Sequence, residues 1–169
     1  MISIFAIDPG PSTGVAWGIF NERAPTAVEA VRLGIEKKSA TITGDELAQA
    51  RAIFSLWQSW KEYTVRRALL EPDQIRLVIE DFVLYPGAHA GGKEGIAPAR
   101  IAWAFEGYRA ARGDKFSKEK HVSPAIWQTS SVGMRNKGLL RKADCWVKGR
   151  EHERSAYCHI LARMRKEMR

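Results

Sequence analysis

Two short apolar runs, joined by a turn rich in proline and glycine, dominate the first twenty residues. The first run is Ile2–Ile7 and the second is Val15–Phe20, and the turn Asp8–Gly14 between them contains two prolines and two glycines. Runs of this length with such a turn between them predict a β-hairpin. Asp8 is therefore expected at the carboxyl end of the first strand, on a rigid element.

A second carboxylate follows a later apolar run in the same way. Glu80 comes directly after 75–79, a run rich in β-branched residues that is typical of a strand covered on both faces. Asp8 and Glu80 would meet if these two strands were neighbours in the sheet. Asp81 is the next residue, but alternation along a strand directs it to the opposite face.

Periodicity and capping signals predict the remaining elements. These are a third antiparallel strand at 27–33, a helix that starts with a capping box at Thr43 and Glu46 and runs to about Leu70, a long glycine-rich loop at Phe82–Gly95, a helix that begins near Pro98, a short strand at 121–123, a helix at 123–129 and a terminal helix at Glu151–Arg169. This order predicts an α/β layer fold with a mixed sheet.

Length and composition favour one soluble intracellular domain that spans 1–169. The chain is long enough to bury a core, and no apolar run approaches the roughly 20 residues of a membrane span. The first eight residues lack the basic segment of a signal peptide. Cys145 and Cys158 are the only cysteines and lack the spacing of a metal site, which favours a reduced, cytoplasmic setting.

The net charge of +8 is concentrated in the last fifth of the chain. From Arg135 to Arg169 there are eleven lysines and arginines against four acids. Such a stretch favours a polyanionic partner, because bound phosphates release counterions from the nucleic acid. Together with the two carboxylates at strand ends, it points to a metal-dependent enzyme that acts on nucleic acid.

The carboxylates have a clear chemical use in such an enzyme. Two divalent ions about 3.5–4 Å apart can activate a water molecule and stabilise the leaving oxygen of a phosphodiester. Mg²⁺ takes oxygen ligands and keeps several waters, so a few carboxylates on strand ends suffice. Further ligands are expected from the terminal helix, where Glu151, His152 and Ser155 share one face and Glu153 points away.

Three motifs, in this order, carry a family resemblance. They are Asp8-Pro9-Gly10 followed by Thr13-Gly14, then Ile79-Glu80-Asp81-Phe82, then Glu151-His152-Glu153-Arg154-Ser155-Ala156. Together they resemble the RuvC-type Holliday junction resolvases of the RNase H-like (retroviral integrase-like) superfamily, above all the compact RuvC-like endonucleases of bacteriophages. The resemblance implies a single RNase H-like nuclease domain with a mixed five-stranded sheet, three antiparallel strands and then two parallel ones, flanked by helices.

The same resemblance implies an activity, a cofactor and partners. The activity is metal-dependent, structure-specific cleavage of phosphodiester bonds in branched DNA such as four-way Holliday junctions. The cofactor is a pair of Mg²⁺ or Mn²⁺ ions per active site, with no nucleotide cofactor. The expected assembly is a homodimer on branched DNA, away from membranes, in the cytoplasm of a phage-infected or prophage-carrying bacterial host.

Carried over by position, the resemblance assigns Asp8, Glu80 and His152 to the metal site. The sequence departs from the family at Ser155, where an aspartate is expected and where serine is a poor ligand. Glu151 lies one turn earlier on the same helix face, so we expect it to take over as the fourth ligand. Asp81 and Glu153 are the reserve candidates. A histidine among oxygen ligands would shift the metal preference towards Mn²⁺.

Phosphate contacts are expected from basic residues in the glycine-rich loop, on the helix after it and in the basic stretch. The candidates are Lys93, Arg100, Arg109, Arg135, Lys137, Arg141 and Lys142.

Three alternatives stay open at this point. The turn after Asp8 is also typical of phosphotransferases and ATPases of the actin and hexokinase type, but these generally need two such domains around a cleft. A non-catalytic dimeric module that binds branched DNA is the second alternative, favoured by Ser155. An RNA-directed nuclease of the same superfamily is the third. The fold alone does not distinguish between these alternatives.

Overall fold

In this computed structural model, the described residues are 1–68, 70–80, 97–114, 118–121, 137–146 and 148–169. Asp81, the predicted loop at Phe82–Gly95 and the predicted helix at 123–129 lie outside them. One mixed sheet organises the molecule, with its strands in the order β3-β2-β1-β4-β5. The strands are β1 (Ile2–Asp8), β2 (Thr13–Phe20), β3 (Ile35–Ile42), β4 (Ile75–Glu80) and β5 (Lys118–His121).

Strand directions divide the sheet into two halves. β1, β2 and β3 are antiparallel neighbours, and the predicted hairpin is confirmed by the register that pairs Asp8 with Gly14. β4 is parallel to β1, and β5 is parallel to β4. The predicted α/β class with a mixed sheet is therefore confirmed.

The third strand was predicted in the wrong place. Residues Ala27–Arg32 form a short helix, α1, and β3 begins only at Ile35. The hydroxyl of Thr26 caps this helix by accepting a hydrogen bond from the amide of Glu29. The buried residues of α1 (Ala27, Ala30 and Val31) have the i, i+3, i+4 spacing of a helix, which over six residues is easily taken for strand alternation.

Four further helices complete the described fold. They are α2 (Glu46–Arg66), α3 (Ala97–Ala111), α4 (residues 137–142) and α5 (Glu151–Glu167). The capping residue of α2 is Asp45 rather than the predicted Thr43, since the Asp45 carboxylate accepts a hydrogen bond from the amide of Ala48 at 2.8 Å. The predicted helix after Pro98 and the predicted terminal helix are confirmed, the latter ending at Glu167.

Helices cover both faces of the sheet, and alternation along the strands decides which side chain meets which helix. Even-numbered residues of β1 and β4, such as Ile4, Ala6 and Val78, belong to the core shared with α1 and α5. Odd-numbered residues, such as Phe5 and Leu77, belong to the core shared with α2 and α3. Asp8 and Glu80 are even-numbered, and their side chains therefore point towards α5.

A buried ion pair joins the two helices on the far face of the sheet. The carboxylate of Asp114, just after α3, accepts hydrogen bonds from the Trp57 indole at 2.6 Å and from the Arg109 guanidinium at 3.2 Å. The Asp114 side chain is fully buried, and that of Arg109 is 5 % exposed and also pairs with Glu106. Asp114 therefore links the end of α3 to α2, and Arg109 is buried in this pair rather than exposed, as a phosphate contact would require.

We expect Asp114→Ala to lower the free energy of unfolding by about 3–5 kcal/mol, because the change removes the buried carboxylate that pairs with the Arg109 charge and accepts from the Trp57 indole. Chemical denaturation followed by circular dichroism would measure the loss. Glu62→Ala is the matched control, since Glu62 pairs with Arg66 on the surface of α2 and both side chains are more than half exposed. The control should cost less than about 1 kcal/mol; an equal loss in both variants would contradict the assignment.

Within the described residues, none of the helices combines the length and the apolar character needed to cross a membrane.

Candidate metal centre

Two neighbouring parallel strands bring Asp8 and Glu80 together. β1 and β4 pair in parallel with Ile7 opposite Ile79, so the next residue on each strand, Asp8 and Glu80, lies at the same edge of the sheet. The two carboxylates interact directly through a hydrogen bond and charge. The condition that the sequence analysis set, that these two strands be neighbours, is met.

The helix α5 contributes a histidine that the sequence analysis did not select. Asp8, Glu80 and His159 each offer a ligand atom, and these atoms all lie within 4.8 Å of one another. The Nε2 atom of His159 lies 3.7 Å from a Glu80 carboxylate oxygen, and the His159 side chain is 1 % exposed. One imidazole and two carboxylates form a donor set suited to a divalent transition-metal ion.

Helical spacing was the available signal for His159. It follows Ser155 by four residues and His152 by seven, so the three side chains lie on one face of α5. The family pattern drew attention to the residues from Glu151 to Ser155, whereas the end of β4, at Glu80, lies against the third turn of the helix. His159 therefore enters the site from one turn beyond the residue where an aspartate was expected.

The predicted helix residues lie around the cluster rather than in it. The Nδ1 atom of His152 lies 3.9 Å from an Asp8 carboxylate oxygen, with the imidazole 43 % exposed. Ser155 is buried and hydrogen bonds with Asp8. The Glu151 side chain is 83 % exposed and pairs with Arg154 at 3.1 Å. Glu151 thus stands at the rim of the site, while His152 lies next to Asp8.

The reserve candidate Glu153 has a structural role. Its carboxylate accepts hydrogen bonds from the hydroxyls of Ser39 and Thr41 on β3 and from the Arg150 guanidinium. The residue is 1 % exposed and faces away from Asp8 and Glu80, as its helix position predicted. Glu153 therefore ties the start of α5 to the antiparallel half of the sheet. Asp81, the other reserve candidate, lies outside the described residues.

Burial and proximity shift the pKa values of the two carboxyl groups in opposite directions. Burial is the largest reason that the pKa of Asp8 rises from 3.8 to about 9; the hydrogen bond and charge of Glu80 raise it further, and Ser155 opposes the rise. Burial also acts to raise the pKa of Glu80, but hydrogen bonds from His159 and Asp8 hold that pKa below its usual value. At neutral pH Asp8 therefore keeps the proton and Glu80 is ionised. If both groups were ionised they would repel each other, and a bound cation would relieve that repulsion.

One buried glutamine holds the turn that follows Asp8. The side-chain oxygen of Gln49 on α2 accepts a hydrogen bond from the Thr13 amide at 3.1 Å. Its side-chain nitrogen donates to the carbonyls of Pro11 at 3.0 Å and Gly44 at 2.9 Å. Because Gln49 is 2 % exposed, these bonds are formed in a dry environment. The turn is thereby fixed against α2, and Asp8 is held at its edge.

Gly14 lets α5 approach the sheet closely. A Cβ atom at this position would lie only 2.0 Å from the carbonyl oxygen of His152. The hydrogen side chain of Gly14 is therefore needed to seat the first turn of α5 over the end of β1.

We expect Gly14→Ala to push the start of α5 away from β2. The free energy of unfolding should fall by about 1–3 kcal/mol, and the affinity for Mn²⁺ should also fall. Thermal unfolding and Mn²⁺ titration would measure the two effects. Gly107→Ala on α3 is the matched control, because its Cβ meets no atom within 4 Å and alanine favours the helix by about 1 kcal/mol. Unchanged metal affinity in Gly14→Ala would contradict the proposed packing constraint.

A cavity of about 430 Å³ opens above the two strand ends. Asp8, Glu80, Glu151, His152, Arg154 and Ser155 line it, together with residues of the turn and Pro98 at the start of α3. Of the predicted phosphate contacts, Arg100 lies two residues after Pro98 on α3 and pairs with Glu46 at 3.5 Å. Lys137, Arg141 and Lys142 are exposed on α4. Lys93 and Arg135 lie outside the described residues.

Comparison with known proteins rests on structure, since no protein-family model matches the chain and no curated protein does. The RuvC of T. thermophilus, solved in complex with a Holliday junction substrate, superposes with a TM-score of 0.53 over 97 % of this chain and 96 % of that chain. The fold is RuvC-like. A second structure of Thermus thermophilus RuvC gives a TM-score of 0.52 over 96 % of each chain.

Sequence identity to these two RuvC structures is only 13 % and 11 %. At this distance the superposition establishes the RuvC-like, RNase H-like fold, and the chemistry has to be argued from the side chains of this protein.

Proposed function

We propose that this protein is a metal-dependent endonuclease that cleaves phosphodiester bonds in branched DNA. The observation that carries the proposal is the cluster of Asp8, Glu80 and His159, which lies where α5 crosses the ends of two parallel strands of a RuvC-like fold. Two neighbouring carboxyl groups that line a cavity and have shifted pKa values are typical of catalytic sites, where such groups concentrate.

The donor set fits Mg²⁺ or Mn²⁺. Asp8, Glu80 and His159 would hold a first ion, and His152, 3.9 Å from Asp8, is placed to help hold a second. Two bound ions would supply an activated water and stabilise the leaving oxygen of the phosphodiester. Two histidines beside two carboxylates favour Mn²⁺ more strongly than the sequence-predicted set with Glu151 did.

Other residues of the cavity have supporting roles in this proposal. Ser155 hydrogen bonds with Asp8 and so orients that carboxylate. Arg154 lines the cavity, where its guanidinium can bind a substrate phosphate, and its pairing with Glu151 fixes it there. Glu151 becomes a residue that positions Arg154.

Branched DNA is the proposed substrate because two lines of evidence agree. The basic stretch of the sequence ends at α5, and its exposed cations on α4 lie next to that helix. The RuvC of the same fold was solved with a Holliday junction. A homodimer, and a role in a bacterial host that carries a phage, stay predictions that rest on the family resemblance.

Cleavage assays with labelled four-way junction, splayed fork and linear duplex, each in Mg²⁺ and in Mn²⁺, test the proposal. We expect paired nicks in the junction, faster in Mn²⁺, and little cleavage of linear duplex. Equal cleavage of all three substrates would leave a nuclease without the proposed preference for branches. A branched RNA in the same assay tests the RNA-directed alternative.

A non-catalytic module that binds branched DNA is the second candidate. Ser155 favours it, since a weak ligand occupies a position where the family resemblance leads one to expect aspartate. Tight junction binding without nicks in either metal would support this module. The proximity of His159 to Glu80 favours the enzyme, because it provides a replacement ligand one helical turn away.

A further inference from the structure

Three cationic side chains converge on one indole beside the cavity. The guanidinium carbon of Arg154 lies 4.3 Å from the centroid of the Trp146 ring. The Lys137 ammonium lies 5.3 Å from the same centroid, and the Arg141 guanidinium carbon lies 5.4 Å from it. All three distances are within the range in which an aromatic ring attracts a cation.

The indole connects two separate elements. Trp146 is half-buried between α4 and α5, where it packs against the core that α5 shares with the sheet. Lys137 and Arg141 are one turn apart on the same face of α4. Arg154 extends from α5 and also lines the cavity above Asp8. The cations thus form a path from the metal centre to the surface of α4.

Within the described part of the chain, the charge of this cluster is only partly balanced by carboxylates. Arg154 pairs with Glu151, but among the described residues no carboxylate forms an ion pair with Lys137 or Arg141, which are both exposed. Three like charges around one ring repel one another, and the ring attraction holds them together in spite of this. An anion that bridges them would be bound with a favourable electrostatic energy.

We propose that Trp146, Lys137, Arg141 and Arg154 form a phosphate-binding platform for the sugar-phosphate backbone of a DNA strand next to the bond to be cleaved. Arg154 contacts the phosphate nearest the metal centre, and Lys137 and Arg141 contact phosphates farther along the strand. Trp146 is a positioning residue, because its ring packs against the core and at the same time holds the three cations. The inference rests on the proposed function for the identity of the strand.

Salt dependence of DNA binding tests the charges of the platform. Anisotropy of a labelled four-way junction would be followed over a range of salt concentrations in an Asp8→Asn background, so that cleavage does not interfere. The association constant falls as salt rises, so the slope of its logarithm against log salt is negative. We expect Lys137→Gln with Arg141→Gln to make this slope shallower by about 1.8, or about 0.9 for each lost phosphate contact. The matched control, Arg51→Gln with Arg112→Gln, removes two exposed charges between α2 and α3 and should leave the slope unchanged.

Two substitutions test the indole itself. Trp146→Leu retains an apolar side chain against the core but has no π face, and we expect it to weaken junction binding at least about fivefold and to reduce the slope. Trp146→Phe retains a π face and should recover most of the affinity. Thermal unfolding would check that both variants fold. Equal binding by the Leu and Phe variants, or an unchanged slope in the double variant on α4, would overturn the platform.

The two proposals can fail separately in these experiments. A protein that cleaves junctions but shows an unchanged slope in the α4 double variant overturns the platform and leaves the endonuclease. A protein whose slope falls as expected, but whose intact active site cleaves nothing in either metal, overturns the endonuclease and leaves the platform. Absence of any DNA binding overturns both.

Discussion

Asp8→Asn should abolish junction cleavage while DNA binding is retained. The asparagine keeps the shape of the side chain but removes the charge that would hold the metal and places an amide against Glu80. Loss of one group that stabilises a transition state lowers the rate by about 10²–10³. Loss of a carboxylate shared by both metal ions should reach or exceed the upper end of this range. Nicking rates under single-turnover conditions, in Mg²⁺ and Mn²⁺, would measure the effect.

Glu151→Gln is the matched control for this variant. It makes the same chemical change at the rim of the cavity, on a side chain that is 83 % exposed. We expect less than about a tenfold loss, since only the pairing with Arg154 is affected. A loss as large as that of Asp8→Asn would restore Glu151 to the ligand role that the sequence assigned to it and contradict the arrangement proposed from the structure.

Stability supplies a second readout that does not depend on activity. Because the pKa of Asp8 is raised in the folded state, from 3.8 to about 9, its contribution to stability is fully present below about pH 4 and is lost as the pH rises towards about 9. An asparagine has no proton to lose. In a chelating buffer, Asp8→Asn should therefore melt at a higher temperature than the wild type, with a difference that grows between pH 5 and pH 8. A difference in melting temperature that does not depend on pH would contradict the raised pKa of Asp8.

His159→Gln should have the second largest effect. The glutamine is of similar size but is a weaker metal ligand than imidazole, so we expect a loss of Mn²⁺ affinity of about 100-fold or more. This exceeds the roughly 10–100-fold that follows from removal of a partner outside the first coordination sphere. Calorimetric titration of the metal-free protein with Mn²⁺ would measure it directly, without DNA or turnover.

His152→Gln separates the two histidines of α5. His152 is 43 % exposed and lies 3.9 Å from Asp8, whereas His159 is buried beside Glu80. We expect the His152 variant to retain the tighter of two Mn²⁺ binding events and to weaken only the second. If His152→Gln removed the tighter event and His159→Gln did not, the site would match the sequence prediction instead of the structural cluster.

Local sequence determined those parts of the fold whose signal lies within a few residues. The turn after Asp8 is rich in proline and glycine, and its hairpin follows from that alone. The run before Glu80 is rich in β-branched residues, which favours a buried strand, and the spacing in α5 identifies its inward face. These signals sufficed to predict that two carboxylates stand at strand ends, because a strand end fixes its last side chain irrespective of the rest of the chain.

Short elements and long-range packing are the features that local sequence did not predict. At 27–32, six residues fit a strand and a helix equally well, and the cap at Thr26 together with packing against α5 selects the helix. Arg109 has the sequence appearance of a surface cation, but Asp114 and the Trp57 indole bury it between two helices. The helix has a local signal that the strand prediction overlooked, since Thr26 and Glu29 have the spacing of a capping box. The burial of Arg109 has none, since it depends on Trp57, a residue of another helix.

The sequence by itself predicted that Asp8 and Glu80 stand at strand ends and that one face of α5 turns towards them. Only the tertiary structure decided which turn of α5 does so. Gly14 seats the first turn of the helix against β2, Glu153 ties it to β3, and the third turn then places His159 against Glu80. Helical periodicity fixes the face of a helix but not its axial position, and that position is set by contacts between residues more than a hundred positions apart.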